Sequence, residues 1–247
     1  MKFVYEGDKN GNGLPDVDEI EITPLDGDGD FRSEECVELL KEADVVITNP
    51  PFSLFREYIA QLVEYQKKFL ILGSINAIKY KEVFPLIRRN KVWLGVFSCS
   101  TGMSFRVPPD SEPRATRYWI DETGQKWRSI GNVSWFTNMN HKKRNQTLDL
   151  VELYDPDKYP KYDNYDAIDV SKVANIPEDY AGVMGVPITF LDKYCPRQFQ
   201  VLGISEESVS DGAGNLWRRG VKHPLISGKK KYCRLFIRNL DPITGEE

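Results

Sequence analysis

Residues 44–62 read DVVITNPPFSLFREYIAQL. The opening run, Asp44–Thr48, is β-branched without polar alternation, which predicts a strand buried on both faces, as in a parallel sheet. Asn49-Pro50-Pro51-Phe52 ends it, because two prolines remove two backbone donors and fix two φ angles. Ser53 is a helix-capping residue type. Beyond it Phe55, Tyr58, Ile59, Leu62 and Val63 recur at helical spacing. Strand, stiff turn and amphipathic helix thus follow in immediate succession.

The same rhythm extends outward. Upstream, Lys2–Glu6 and Glu19–Leu25 read as short strands around a Gly/Asn/Asp-rich loop, and Asp26–Asp30 as a turn. Ser33 can cap a helix whose apolar face is Cys36, Leu39, Leu40 and Ala43, with Glu34 and Glu35 favoured in its first turn. Downstream, Phe69–Leu72 and Val92–Phe97 read as strands. Tyr80, Val83, Phe84 and Ile87 suggest a helix that Pro85 interrupts. The β-α-β-α-β order predicts a doubly wound parallel α/β sheet, with ligands outside the carboxyl ends of its strands. Asn49–Phe52 lies at such an end.

Beyond residue 100 the alternation stops. Arg114–Ile120, Lys126–Ile130, Val183–Phe190, Phe199–Ile204 and Tyr232–Ile237 read as strands, and Asp155–Tyr165 as a connection. The division drawn from this is a first domain over residues 1–145 and a C-terminal extension over 146–247.

The 247 residues are 40% hydrophobic and 28% charged, enough for one sizeable core. No apolar run approaches the ~18 residues of a membrane span, and the start lacks a signal-peptide core, so a cytoplasmic protein is expected. Four cysteines without metal spacing read as reduced thiols. Acids outnumber bases by ten in residues 1–50, whereas bases lead by six in the remainder. A phosphate-binding surface is therefore expected beyond residue 50. Basic clusters stand at His141–Arg144, Trp217-Arg218-Arg219 and Lys229–Lys231. Trp217, Arg218 and Arg219, an aromatic beside two guanidiniums, are the best candidates for DNA contact.

Asn49–Phe52 carries the chemistry. An exocyclic purine amine is a weak nucleophile because its lone pair is delocalised into the ring. The Asn49 side-chain carbonyl and the Pro50 backbone carbonyl can accept its two hydrogens, Pro51 stiffens their aim, and Phe52 offers a stacking face. The base has to leave the duplex to reach such a pocket.

The 44–62 segment resembles the catalytic motif of amino-methyltransferases that use S-adenosylmethionine. With GDGDFRSEECVELLKEAD before it and VSWFTN, YPKYDNYDAI and GVMGVPITFLDKY after it, the chain resembles the EcoRI-type adenine-specific DNA methyltransferases from about Pro24 to near Arg238. The resemblance implies a Rossmann-like catalytic sheet, a C-terminal mixed α+β part that recognises double-stranded DNA, and methyl transfer to N6 of a flipped adenine in restriction–modification. Asn49, Pro50 and Phe52 would hold the adenine. Asp30 and Phe31 match the element whose acid contacts the cofactor; the plain alternative for Asp30 is a helix N-terminal acid. Trp135 and Phe136 would stack on the base, or else are core aromatics.

One departure stands out. The loop that cradles the methionine part of the cofactor is not found upstream of Asp30. The sheet is therefore expected to be incomplete on its N-terminal side, completed by a missing N-terminal segment or a companion chain. A DNA-binding fragment without catalysis, and RNA or protein methylation by the same pocket, remain the alternatives. No metal is expected. Asp8, Asn10, Asn12, Gly13, Asp16 and Glu19 do match the D-x-N-x-N-G-x5-E calcium pattern, but flanking helices are missing and a hairpin loop is the preferred reading.

Overall fold

The computed structural model describes residues 1–97, 102–112, 117–206, 209, 214–217 and 221–243. Strands β1 (Lys2–Tyr5) and β2 (Ile20–Thr23) form an antiparallel hairpin pairing Lys2 with Thr23 and Tyr5 with Ile20. Its loop is tied by its own side chains. Asp8 Oδ1 and Oδ2 accept from the Gly11 and Gly13 amides, and Glu19 Oε1 accepts from the Lys9 amide at 2.7 Å. Among the described residues no group of three or more His, Cys, Asp or Glu is arranged to hold a metal.

Helix α1 (Glu34–Glu42) starts as the sequence predicts, with Ser33 Oγ accepting from the Cys36 amide at 3.3 Å. Strand β3 (Val45–Thr48) follows, then a 3-10 turn over Phe52–Leu54 and helix α2 (Phe55–Glu64). The helix begins two residues beyond the expected Ser53 cap. Leu54 is the N-cap and no side chain caps it, because the tight turn after Pro51 closes with Leu54 N–H donating to Pro51 O. Phe55, Ile59 and Leu62 are buried on the α2 face, each worth ~1.5–3 kcal/mol of apolar transfer.

Strand β4 (Lys68–Ser74) lies parallel to β3, and helix α3 (Phe84–Arg88) comes next. Pro85 stands at its first turn, so the proline starts this helix where the sequence reading had it interrupt one. After β5 (Trp93–Leu94) come β6 (Met103–Arg106), β7 (Tyr118–Ile120) and β8 (Lys126–Ile130), which form a separate antiparallel sheet in the order β6-β8-β7. Strand β9 (Val133–Thr137) then returns between β4 and β5, antiparallel to both.

The first sheet therefore runs β3-β4-β9-β5, with β3, β4 and β5 pointing one way. The antiparallel return was not legible in the sequence. The expected double winding is corrected as well. Val46, Phe69, Ile71, Leu94 and Phe136 join one apolar cluster with α2 and α3. By strand alternation Val45, Ile47, Leu70, Leu72 and Trp135 point to the opposite face, and none belongs to that cluster. Strand β3 is an edge strand. Val45 is 40% and Ile47 66% exposed, so the expected burial on both faces holds for one face only.

The C-terminal part contributes β10 (Ile168–Asp169), β11 (Met184–Pro187), β12 (Phe199–Ile204), the small hairpin β13 (Leu225–Ile226) and β14 (Lys229–Lys230), and β15 (Arg234–Asn239). The second four-stranded sheet has the order β10-β11-β15-β12. Val201, Leu235 and Ile237 share the cluster that contains Phe69 and Phe136. Residues 145–146 thus mark a change of sheet inside one continuous core. No helix among the described residues is long and apolar enough to cross a membrane.

Candidate active site

Asn49–Phe52 leaves the carboxyl end of β3. Pro50 is buried and anchors the turn, while Asn49 and Pro51 are exposed and the Phe52 ring is 43% exposed. Among the described residues nothing hydrogen-bonds the Asn49 side chain or the Pro50 carbonyl. Two acceptors and an aromatic face therefore meet solvent together, held by a buried proline and by α2 behind them. Close approach of β4 supports this. A Cβ on Gly73 would come within 2.4 Å of the Phe55 ring, so only glycine lets the first turn of α2 lie flat on the strand.

Asp30 and Phe31 lie beside the turn. Asp30 accepts three bonds from Arg32, including Nη2 at 2.6 Å and Nε at 2.9 Å, while Arg32 Nη1 reaches Glu57 at 2.8 Å. The Arg32 guanidinium holds the Asp30 carboxyl down to about 2. Asp30 is ionised at neutral pH and links its loop to α2 through Arg32. The Phe31 ring meets Tyr58 edge-on at 4.9 Å.

Phe31 and Tyr58, with Gly29, Leu40 and β3, line a mostly apolar cleft of about 380 Å³. Gln61 lies in the same wall. Its Nε2 donates to the Phe31 carbonyl at 3.2 Å, and its buried Oε1 has no partner among the described residues. An orphaned acceptor in an apolar slot beside an aromatic ring suits the amine edge of a purine. Sequence reasoning passed over Gln61, which looked like the polar side of an amphipathic helix. Only its spacing from Phe55 and Tyr58 hinted that it turns inward.

Trp135 and Phe136 separate. Phe136 is fully buried and packs on Phe55 with ring centroids 5.1 Å apart. The expectation that Phe136 stacks on a base is corrected: it is a core aromatic, because odd and even positions of β9 face opposite sides of the sheet. Trp135, on the other side, is half-buried and lines an apolar groove with Leu70, Val96, Phe97 and Met139.

Trp217 is partly exposed and bridges to Tyr165, whereas Arg218 and Arg219 lie outside the described residues. The His141–Arg144 cluster has local partners. Arg144 stacks on Trp93 at 3.8 Å, Lys143 Nζ donates to Val96 O, and the His141 ring bonds Leu94 O. Lys229 and Lys230 are exposed on β14.

The inserted β6-β8-β7 sheet is the feature that the sequence reading left unassigned. Its two connections join the carboxyl end of β5 to the start of β9, opposite Ser74 at the end of β4. That is the edge where Asn49 emerges. Trp119 and Trp127 stack there with planes 6° apart, and Arg106 lies 5.5 Å from the Trp127 ring.

A parallel strand that opens onto an Asn-Pro-Pro-Phe turn next to an apolar purine-sized cleft defines a methyltransferase-type site. The family description "Adenine-specific methyltransferase EcoRI" matches residues 1–240, and the chain belongs to that family. It is 45% identical over 243 residues to the type II methyltransferase M.EcoRI of Escherichia coli, covering 96% of this chain and 70% of that protein. It is 40% identical to M.MpnI of Mycoplasma pneumoniae, over 90% of this chain and 72% of that protein. With M.MgeORF184P of Mycoplasma genitalium the identity is 36%, over 96% and 74%. No solved structure matches the chain significantly.

Proposed function

We propose that this chain carries the adenine-binding half of a restriction–modification DNA methyltransferase that moves a methyl group from S-adenosylmethionine to N6 of an adenine swung out of duplex DNA. The observation that carries the reading is the pair of unengaged acceptors at Asn49 and Pro50, presented with the open Phe52 ring at a strand end. Type II methyltransferases are its relatives, which supports DNA as the substrate.

The residues act by position. Asn49 Oδ1 and Pro50 O accept the two amine hydrogens, which turns the nitrogen lone pair away from the ring and towards the methyl group. Phe52 holds the base plane. The cofactor, when bound, supplies the electrophilic methyl. The Phe31 and Gln61 wall fits its adenine, with Gln61 Oε1 accepting from the purine amine. Asp30, engaged by Arg32, fixes the loop that carries Phe31. Trp119, Trp127 and Arg106, on the inserted sheet above the opening, face the duplex beside the extruded base, and Trp217-Arg218-Arg219 adds contact from the C-terminal part. The chemistry suits a reduced, cytoplasmic setting.

Asn49→Ala tests the pocket. Tritiated methyl transfer to duplex DNA is expected to fall by ~10²–10³-fold, the usual loss for one oriented polar group, with the thermal melt unchanged. Equal transfer by Asn49→Ala and the parent chain sinks the assignment. Transfer to RNA or protein in parallel reactions, with none to DNA, keeps the pocket and replaces its substrate.

A further inference from the structure

The geometry points to a second polypeptide docking on the open side of the first sheet: a companion segment that adds a strand beside β3 and lays an apolar helix over the Ile47–Leu70–Trp135 face. Three observations converge on it.

Strand β3 is paired on one side only, by β4. Its outer edge offers a row of unpaired backbone groups, and its side chains are not the lysines or prolines with which proteins blunt such edges. They are Val45, Val46 and Ile47, with Ile47 66% exposed.

The sheet face that continues from this edge is apolar and lies outside the core. Ile47, Leu70, Leu72 and Trp135 form its floor. At its far side Val96 and Phe97, 59% and 64% exposed, frame a groove of about 320 Å³ against Trp135. Parallel strands are almost always covered on both faces, and here α2 and α3 cover one. An apolar patch that spans four strands is larger than isolated exposed residues explain.

The matched relatives name the source. The chain accounts for 70–74% of the length of the Escherichia coli and Mycoplasma genitalium enzymes. The unmatched part of such an enzyme has material enough for a strand and a helix. A neighbour parallel to β3 would end beside Asn49, so that the loop after it faces the Phe31 cleft at a strand-order switch point. The docking itself stands on the edge and the face; that the newcomer carries the cofactor loop rests on the methyltransferase reading above.

Co-expression tests it. The affinity-tagged 1–247 chain is produced together with the portion of the Escherichia coli relative that lies outside the matched region, made as a separate untagged polypeptide. A 1:1 complex by light scattering, with slowed hydrogen exchange across β3, is expected. Ile47→Lys together with Val45→Lys should weaken that complex at least tenfold, while the thermal melt of the lone chain stays unchanged. Recovery of the segment unbound or insoluble overturns the proposal, as does retention indifferent to the double substitution. So does burial of the edge by a second copy of the same chain. Methyl transfer by the complex is scored separately: a complex that forms and stays inactive on DNA leaves the docking in place and removes the catalytic reading.

Discussion

The two four-stranded sheets of this chain are built from similar residues and end in opposite conditions. The C-terminal sheet β10-β11-β15-β12 is closed. On one side of β15, Leu235 and Ile237 enter the main cluster; on the other, Phe236 packs with Tyr162, Tyr165, Ala167 and Val183 in a second one. The first sheet has a cluster on one side only. The C-terminal sheet also buries charge with partners: Arg234 Nε donates to Asp169 at 3.1 Å, and the Tyr162 hydroxyl donates to the same carboxylate at 2.5 Å. A protein invests paired charge and aromatic stacking where the interior is complete, and leaves plain β-branched residues where another layer belongs.

The contrast is breakable by stability measurements. Phe236→Ala should cost ~3–5 kcal/mol in denaturant unfolding, as expected for an aromatic lost from a full interior. A change under ~1 kcal/mol would mean the second cluster is loose. A paired comparison on the first sheet comes next. Ile71→Ala, in the core face, should cost ~2–5 kcal/mol, whereas Ile47→Ala should stay within ~0.5 kcal/mol of the parent. Equal costs would show that the open face is covered. Gly73→Ala should destabilise by ~1–3 kcal/mol through overpacking against Phe55, with Phe55→Leu restoring part of the loss.

The smallest effect is ionic. Since Arg32 lowers the Asp30 carboxyl, that pairing favours the folded loop fully above the ordinary value of 3.8 and is lost as pH falls through about 2. Carbon NMR of the carboxyl should show a midpoint near the lower figure, and Arg32→Gln should move it up towards 3.8. A midpoint that ignores the substitution would detach Asp30 from Arg32.

Much of this was legible in the residues. The hairpin, the Ser33 cap, β3, β4, β8 and β12 follow from alternation, turn chemistry and β-branching. The Asn49 turn was readable because two prolines are so restrictive. What local pattern withheld was long-range. Nothing in VSWFT says that β9 enters between β4 and β5, for that is fixed by partners far away: Thr137 Oγ1 donates to Phe69 O, and Asn138 clasps Phe69 N and Lys67 O. The burial of DVVIT on both faces was inferred from composition alone, and composition cannot tell a central strand from one whose neighbour lies elsewhere. Trp135 and Phe136 looked equivalent as a pair, yet alternation sends one to the groove and the other to the core.

The excursion between Leu94 and Val133 leaves and re-enters the first sheet on two strands already laddered to each other. Its contents can be lengthened, shortened or exchanged without touching the hydrogen-bond register beneath. Natural variation can thus rewrite what overhangs the mouth of the pocket while the machinery under it is inherited unchanged, and chimeras spliced at those two points should fold.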